Sequence, residues 1–242
     1  HNKEVNPIAN IFNEMKYDYV SIGNHEFNYG KEYLLNHFRY IDATILNSNL
    51  LDSQTNNPFV GVTHDITEID GYSIGIIGVT THYIPNWEQP SHIENIVILD
   101  AFETTKKYVN DLRDQVDFLI VNYHGGFERD LETDQLTGVD TGENQGSKML
   151  NEIEGIDLLL TGHQHRSLNG VKNRTIYVQP GYNAQQLCQI IIELSDNDSP
   201  RVITNHLLHV KNVKPNENVL KIADKIEKAA QEFLDTPVGK TD

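Results

Sequence analysis

The sequence is poor in the features that build disulfides, thiolate metal sites and membrane spans. Among its 242 residues there is one cysteine, and Cys188 alone can form neither an internal disulfide nor a cysteine-built zinc site. The longest apolar stretches, around 74–79 and 158–160, have only the length of strands. The sequence therefore predicts no transmembrane segment, because a spanning helix needs about 20 apolar residues.

Positive charge is also scarce. Lysine and arginine number 19 against 35 aspartates and glutamates, which gives a formal net charge of −16. A surface of this sign repels phosphate backbones and anionic lipids, so a nucleic-acid-coating role is disfavoured. The composition, 38% hydrophobic and 22% charged, is that of a folded chain with one large domain or two small ones.

Short strand-like runs alternate with helical segments along the chain. Strands are predicted over 18–22, 43–46, 66–80, 117–121, 156–160, 176–179, 189–194 and 201–210, and helices over 31–40, 100–116, 146–153 and 216–234. Asp70-Gly71 between two apolar runs is a strong hairpin signal, so antiparallel strands join the sheet. The pattern predicts an α/β fold, α+β by some schemes, with a mixed sheet flanked by helices.

Polar residues follow three of the predicted strands. Gly-Asn-His-Glu occupies 23–26, His124 precedes two glycines, and Gly-His-Gln-His occupies 162–165. Because ligands bind at the carboxyl ends of strands in open α/β sheets, we expect the three loops to be neighbours. Two imidazoles two residues apart can bind one metal or two adjacent ones. Taken singly, a polar turn at 23–26 and a solvated loop histidine at 124 are alternative interpretations.

Together these segments resemble the loop signatures of the calcineurin-like metallophosphoesterases. That family carries G-N-H-E and G-H-x-H with a loop histidine between them, and all three occur here in the same order. The resemblance extends over about residues 17–210. It implies a metallophosphoesterase-type fold, a mixed β-sheet sandwich flanked by helices, and it implies a metal-dependent phosphoesterase.

The resemblance also implies roles for individual residues. Asn24, His124 and His163 would ligate one divalent metal ion, and His165 would ligate a second. His25 matches the catalytic histidine, which stabilises phosphoryl charge or protonates the leaving oxygen. The implied reaction is hydrolysis of a phosphoester by a hydroxide that the two metals activate. The ligand types suit Mn, Fe, Zn or Co without distinguishing among them.

The segment 23–30, Gly-Asn-His-Glu-Phe-Asn-Tyr-Gly, is similar to one branch of the family. This branch contains 5'-nucleotidases and 2',3'-cyclic-nucleotide 2'-phosphodiesterases with 3'-nucleotidase activity. Many 5'-nucleotidases carry Asp in the place of Asn28, so Asn28, a candidate substrate-site residue, favours the cyclic-nucleotide enzymes. Thr-Gly-Glu-Asn-Gln-Gly at 141–146 is similar to a G-E-N segment of the same group. A 5'-nucleotidase is the alternative, and a non-catalytic remnant acting as a binding module is an alternative of another class.

Two family motifs, D-x-H and G-D, are expected ahead of Asn24, and neither occurs there. We therefore expect 1–214 to be an N-terminally incomplete catalytic domain whose missing motifs lie in a preceding segment. We expect 215–242 to be a helix and linker toward a missing C-terminal nucleotide-recognition domain. The resemblance suggests the cell envelope or secretion, with the cytoplasm as the alternative, since no signal segment is visible.

Overall fold

The computed structural model describes residues 7–195, 198–237 and 239. Residues 1–6 and 196–197 of the predicted domain 1–214 lie outside these described residues, as do 238 and 240–242 of the predicted segment 215–242. The described residues form five α-helices: α1 (Pro7–Met15), α2 (Lys31–Phe38), α3 (Ala101–Leu112), α4 (Gly146–Glu152) and α5 (Glu217–Leu234). They also form twelve strands: β1 (Tyr19–Ser21), β2 (Thr44–Leu46), β3 (Leu50–Asp52), β4 (His64–Ile69), β5 (Tyr72–Thr80), β6 (Ile96–Ile98), β7 (Phe118–His124), β8 (Leu158–Thr161), β9 (Leu168–Lys172), β10 (Thr175–Gln179), β11 (Gln186–Ser195) and β12 (Asp198–His209).

A mixed sheet with the strand order β4-β5-β7-β8-β10-β9 lies at the centre of the fold. The pairs β5/β7, β7/β8 and β8/β10 are parallel, whereas β4 and β9 run antiparallel to their neighbours. The parallel strands therefore end at one edge of the sheet. The predicted mixed sheet flanked by helices is confirmed, and the polar loops after β7 and β8 follow at that edge. The polar loop at 23–26 instead follows β1, which pairs with β2 in a separate sheet.

The β4–β5 connection is the hairpin that the sequence predicted. Asp70 and Gly71 both adopt positive φ, 50° and 84°, as the two-residue turn of a twisted hairpin requires. The register pairs Ile69 with Tyr72 next to the turn and runs back to His64 opposite Ile77.

Three further strand pairs complete the fold. β1 and β2 are parallel, β3 and β6 are antiparallel, and β11 and β12 form a long antiparallel pair. The sequence did not predict β3, β6 or β9. β3 and β6 have three residues each, and the amide of Asn49 connects them to the main sheet by donating to the carbonyls of Thr80 (2.8 Å) and Leu99 (3.0 Å).

Buried apolar side chains among the described residues collect in separate clusters. One packs β5, β7 and β8 against α3 and α4, and its buried members include Val109, Leu119 and Met149. Another packs α1 and α2 around the loop after β1, with Phe27 and Leu34 buried. Helices α1 to α4 thus each contribute buried side chains to a core, which is the basis of the predicted periodicity.

The helix predicted over 216–234 is present as α5. Asn216 caps it, since its side-chain oxygen accepts from the backbone N–H groups of Asn218 (2.9 Å) and Val219 (3.2 Å). None of the described side chains of α5 is buried, although the helix contacts α1. Of the helices in the described part of the chain, none combines the length and hydrophobicity that a membrane span requires.

Candidate active site

Three loops, which follow β1, β7 and β8, converge on the side chain of Asn24. Its Oδ1 atom lies 2.8 Å from His124 Nε2 and 3.1 Å from His163 Nδ1. The two imidazoles meet edge to face with 5.4 Å between their ring centroids. The prediction that the three loops are neighbours is confirmed.

The first loop is one turn of 3₁₀ helix over Asn24–Phe27, and it depends on the glycine before it. A Cβ on Gly23 would lie 2.7 Å from Glu26 Oε2 and 2.9 Å from His124 Cε1. The Glu26 carboxylate accepts hydrogen bonds from the backbone, that of Gly23 included, while burial raises the pKa of this carboxyl. Asn24 and Phe27 are buried and His25 is exposed, so the turn anchors itself while presenting an imidazole outward.

The second loop, which begins at His124, is clamped by an amide from the third loop. Gln164 accepts from the N–H of Phe127 at 2.8 Å and donates to the carbonyl of the same residue at 3.0 Å. A Cβ on Gly126 would lie 2.2 Å from Gln164 Oε1, so only glycine fits beside this amide. The N–H of Gly126 donates to Asn144 Oδ1 at 2.7 Å. These bonds hold the loops after β7 and β8 together.

The third loop places two histidines in left-handed backbone conformations. His163 has φ 66° and His165 has φ 59°. A non-glycine residue in this region is uncommon, and such strain concentrates at functional sites. His163 turns toward Asn24, whereas His165 is exposed with its ring 6.1 Å from that of Tyr182. Within the described part of the chain, no hydrogen bond joins His165 to Asn24.

A carboxylate from a distant loop orients His163. Glu143 Oε1 lies 2.7 Å from His163 Nε2. Since an ionised carboxylate only accepts hydrogen bonds, Nε2 is the donor to Glu143, and Nδ1 is the ring nitrogen that faces Asn24. Tyr123 supports the loop that carries Glu143, because its hydroxyl accepts from the N–H of Gln145 at 3.2 Å and burial raises the pKa of Tyr123. The similarity at 141–146 singled out this segment but not the role of Glu143.

A second chain of polar contacts begins at His25. His25 Nδ1 lies 2.7 Å from Asn28 Oδ1, and Asn28 Nδ2 donates to Glu88 Oε1. The other oxygen of Glu88 lies 3.0 Å from His92 Nδ1. Sequence reasoning missed Glu88, whose side chain is only 6% exposed. The neighbouring Trp87 is 43% exposed, and its ring lies 5.5 Å from that of His163.

The donors around Asn24 fit one side of a divalent metal site. Burial lowers the pKa of His124 to about 4, and the nearby His163 and His25 act in the same direction, so this imidazole is neutral near pH 7 as a metal ligand must be. His163 Nδ1, the ring nitrogen that Glu143 does not use, lies 3.1 Å from Asn24 Oδ1, a spacing at which both atoms can ligate one cation. Ligands of one first-row metal, each about 2.1 Å from it, are roughly 3 Å apart, as these donor atoms are.

Among the described residues, no carboxylate or cysteine joins these three side chains as a further candidate metal ligand. No group of three or more His, Cys, Asp or Glu side chains there is arranged to hold a metal ion. The donors that converge are one amide oxygen and two imidazoles. Imidazole and amide ligands are suited to Mn, Fe, Co or Zn.

Comparison with known proteins identifies a family and several relatives. A sequence model described as calcineurin-like phosphoesterase matches residues 2–167, more than half of the chain. A 2',3'-cyclic-nucleotide 2'-phosphodiesterase/3'-nucleotidase from Salmonella typhimurium is 24% identical, over 98% of this chain and 41% of the relative. The cell wall protein Lmo0130 of Listeria monocytogenes is 26% identical, over 96% of this chain and 33% of the relative.

A solved structure is also similar. A Staphylococcus aureus protein described as a 5'-nucleotidase, in complex with alpha-ketoglutarate, superimposes with a TM-score of 0.84 at 32% identity. The match covers 92% of this chain and 44% of that one. The chain thus spans less than half the length of each of these three relatives.

Proposed function

Since the chain belongs to the calcineurin-like phosphoesterase family, we propose that it hydrolyses nucleotide phosphoesters at the site around Asn24. The observation that supports this most directly is the convergence of His124 and His163 on one amide oxygen. Three loops far apart in sequence bring candidate metal ligands to a single point, as a metal-dependent hydrolase requires. Of the two imidazoles, that of His124 is neutral near pH 7 and that of His163 is oriented by a carboxylate.

Asn24, His124 and His163 would hold one divalent metal ion, and His165 on the same loop would serve a second. When bound, such ions neutralise phosphoryl oxygens and lower the pKa of water. Glu143 keeps the Nδ1 atom of His163 turned toward the site by occupying its Nε2 atom. The acidic surface is compatible with an anionic substrate, because the metal ions supply the local positive charge.

His25 is the proposed catalytic residue. Its side chain is exposed beside Asn24, and Asn28 binds its Nδ1 atom. The Nε2 atom is then left to bind a phosphoryl oxygen or to donate a proton to the leaving oxygen as a general acid. A phosphoester leaving group needs that proton because an alkoxide is a poor leaving group at neutral pH.

The proposed substrate is a 2',3'-cyclic nucleotide, and the proposed product is the 3'-nucleotide followed by the nucleoside. Asn28 supports this choice, since a neutral amide stands where many 5'-nucleotidases carry Asp. The Salmonella relative carries the same activity in its name. The Staphylococcus relative supports 5'-nucleotidase as the second candidate. The Listeria cell wall protein supports a cell-envelope location.

Product analysis tests the proposal. The full gene product is offered 2',3'-cAMP, 3'-AMP and 5'-AMP with Mn²⁺, and again with EDTA. We expect EDTA-sensitive conversion of the cyclic substrate to 3'-AMP and then adenosine. Adenosine from 5'-AMP alone would make the protein a 5'-nucleotidase instead. No cleavage by protein with bound metal would favour the non-catalytic binding module.

A further inference from the structure

We propose that Glu88 is a positioning residue that sets the orientation of the Asn28 amide and, through it, the tautomer of His25. This role rests on the proposed function, because His25 must be catalytic for its tautomer to affect turnover. The juxtaposition that carries it is the chain of contacts from His25 through Asn28 to Glu88.

The first step concerns the amide. A side-chain amide has an oxygen that accepts and a nitrogen that donates, and the two ends are nearly equal in shape. Asn28 lies between His25 on one side and the carboxylate of Glu88 on the other. Because an ionised carboxylate offers only acceptors, the nitrogen of Asn28 must face Glu88. Its oxygen must therefore face His25.

The second step concerns the imidazole. Asn28 Oδ1, 2.7 Å from His25 Nδ1, can only accept, so Nδ1 carries a proton. The neutral ring that remains after His25 gives the Nε2 proton to the leaving oxygen then has its lone pair on Nε2, so Nε2 is the atom through which His25 delivers the proton. If the amide turned around, its NH₂ group would donate to Nδ1 and favour the opposite tautomer. The acceptor on Glu88 excludes that arrangement.

The third step concerns how Glu88 itself is held. Its side chain is 6% exposed, and His92 Nδ1 lies 3.0 Å from the oxygen that does not contact Asn28. The backbone N–H of Glu88 donates to the carbonyl of Ile84 at 3.0 Å, and Ile84 is completely buried. Both carboxylate oxygens and the backbone are therefore engaged. A carboxylate held in this way can orient its neighbour.

Two variants separate the acceptor from the rest of the side chain. Glu88→Ala removes the acceptor and lets Asn28 turn. Glu88→Gln retains an oxygen that can accept from Asn28, and its own amide nitrogen can face His92. Glu94→Ala is the matched control, because it removes an exposed carboxylate from the same segment.

The readouts are steady-state kinetics and the tautomer of His25. The full gene product is labelled with ¹⁵N at histidine, loaded with diamagnetic Zn²⁺ and studied by long-range ¹H–¹⁵N correlation at a pH where a free imidazole is neutral. The His25 signal is assigned as the one that His25→Gln loses. Thermal unfolding of every variant shows whether the fold is retained.

We expect wild-type His25 to carry its proton on Nδ1. Glu88→Ala should convert a third or more of the signal to the Nε2-protonated form and lower kcat at least tenfold, with KM within threefold. Glu88→Gln and Glu94→Ala should keep the wild-type tautomer and kcat within threefold.

An unchanged tautomer in Glu88→Ala would overturn the proposal, whatever happens to kcat. So would equal losses of kcat in the Ala and Gln variants without a tautomer change, because that pattern indicates a purely structural role. A tautomer change in Glu88→Ala together with a wild-type protein that cleaves no phosphoester would support the positioning role and refute the proposed function instead.

Discussion

Individual side chains at the site are of two kinds: buried ones that are candidate metal ligands, and exposed ones that a substrate can reach. Asn24 is 7% exposed, and its Oδ1 atom lies 2.8 Å from His124 Nε2 and 3.1 Å from His163 Nδ1, whereas His25, the next residue, is exposed. One turn of 3₁₀ helix thus sends successive side chains in opposite directions. Changes at these two positions should therefore have different consequences.

The change His25→Ala should lower kcat by about 10²–10⁴-fold, the range that a general acid contributes. Because His25 is exposed and does not face the Asn24 oxygen, metal content should be unchanged. The assay is hydrolysis of 2',3'-cAMP with metal analysis of the same samples, and His206→Ala, an exposed histidine on β12, is the control. Wild-type turnover in the variant would contradict the role of His25.

The change Asn28→Asp should lower kcat about tenfold, because a carboxylate at position 28 would meet the carboxylate of Glu88 where an NH₂ group now donates. The double variant Asn28→Asp with Glu88→Gln should recover most of that loss. Asn56→Asp, which adds the same charge in an exposed loop, should have no effect. If the double variant were no better than the single one, repulsion from Glu88 would not be the cause.

The site residues lie at or just after the ends of strands, and glycines let these segments approach one another. Gly126 illustrates this, since the clamp by Gln164 passes where its side chain would be. The clamp connects the loop carrying His124 to the loop carrying His163. Its loss should affect activity as well as stability.

The change Gly126→Ala should destabilise the fold by about 1–3 kcal/mol, the usual effect of overpacking, and it should lower kcat by tenfold or more. The added methyl group would lie 2.2 Å from Gln164 Oε1 and would displace the loop. Gly138→Ala is the matched control, because a Cβ there meets nothing within 4 Å. Chemical denaturation and kinetics on both variants provide the measurement, and equal behaviour of the two would show that the clamp is unimportant.

The elements that could be predicted from the sequence are those with local signals. Alternating or apolar runs bounded by turn residues predicted β5, β7, β8 and β10, and Asp70-Gly71 predicted the hairpin. β3 and β6 could not be found in this way, because three residues carry no periodicity and their pairing depends on the Asn49 amide.

The same distinction applies to the site. The motifs at 23–26 and 162–165, with His124 between them, carry their chemistry in consecutive residues. The parallel strands β7 and β8 place His124 beside the 162–165 loop, whereas the 23–26 loop follows β1, which pairs with β2 in a separate sheet, so its position could not be predicted from strand order. The roles of Glu88 and Glu143 could not be assigned from the sequence, because the residues around a glutamate in a loop do not indicate which side chain it will contact. Glu88 is 60 residues from Asn28, and only the folded chain brings them together.

The molecule as a whole should be stabilised by the metal ions that we propose it binds. Ligand at about 100 times its Kd adds roughly 2.7 kcal/mol to the free energy of unfolding. For a chain of this size, that corresponds to a rise in Tm of roughly 5–10 °C. The measurement is thermal unfolding with EDTA and with Zn²⁺ or Mn²⁺.

His163→Ala tests which residues are responsible for this stabilisation. It should abolish most of the rise in Tm, whereas His206→Ala should retain it. The same rise in both variants would mean that the metal binds elsewhere. This result does not depend on turnover, so it tests the metal site separately from the substrate.

The long sequence separation of the donors has a consequence for protein synthesis. Asn24 and His163 are 139 residues apart. At roughly 5–20 residues per second, a ribosome takes roughly 7–28 s to make the intervening chain. During that interval the growing polypeptide contains Asn24 but not yet His163. The candidate metal site can therefore be complete only after His163 has left the exit tunnel.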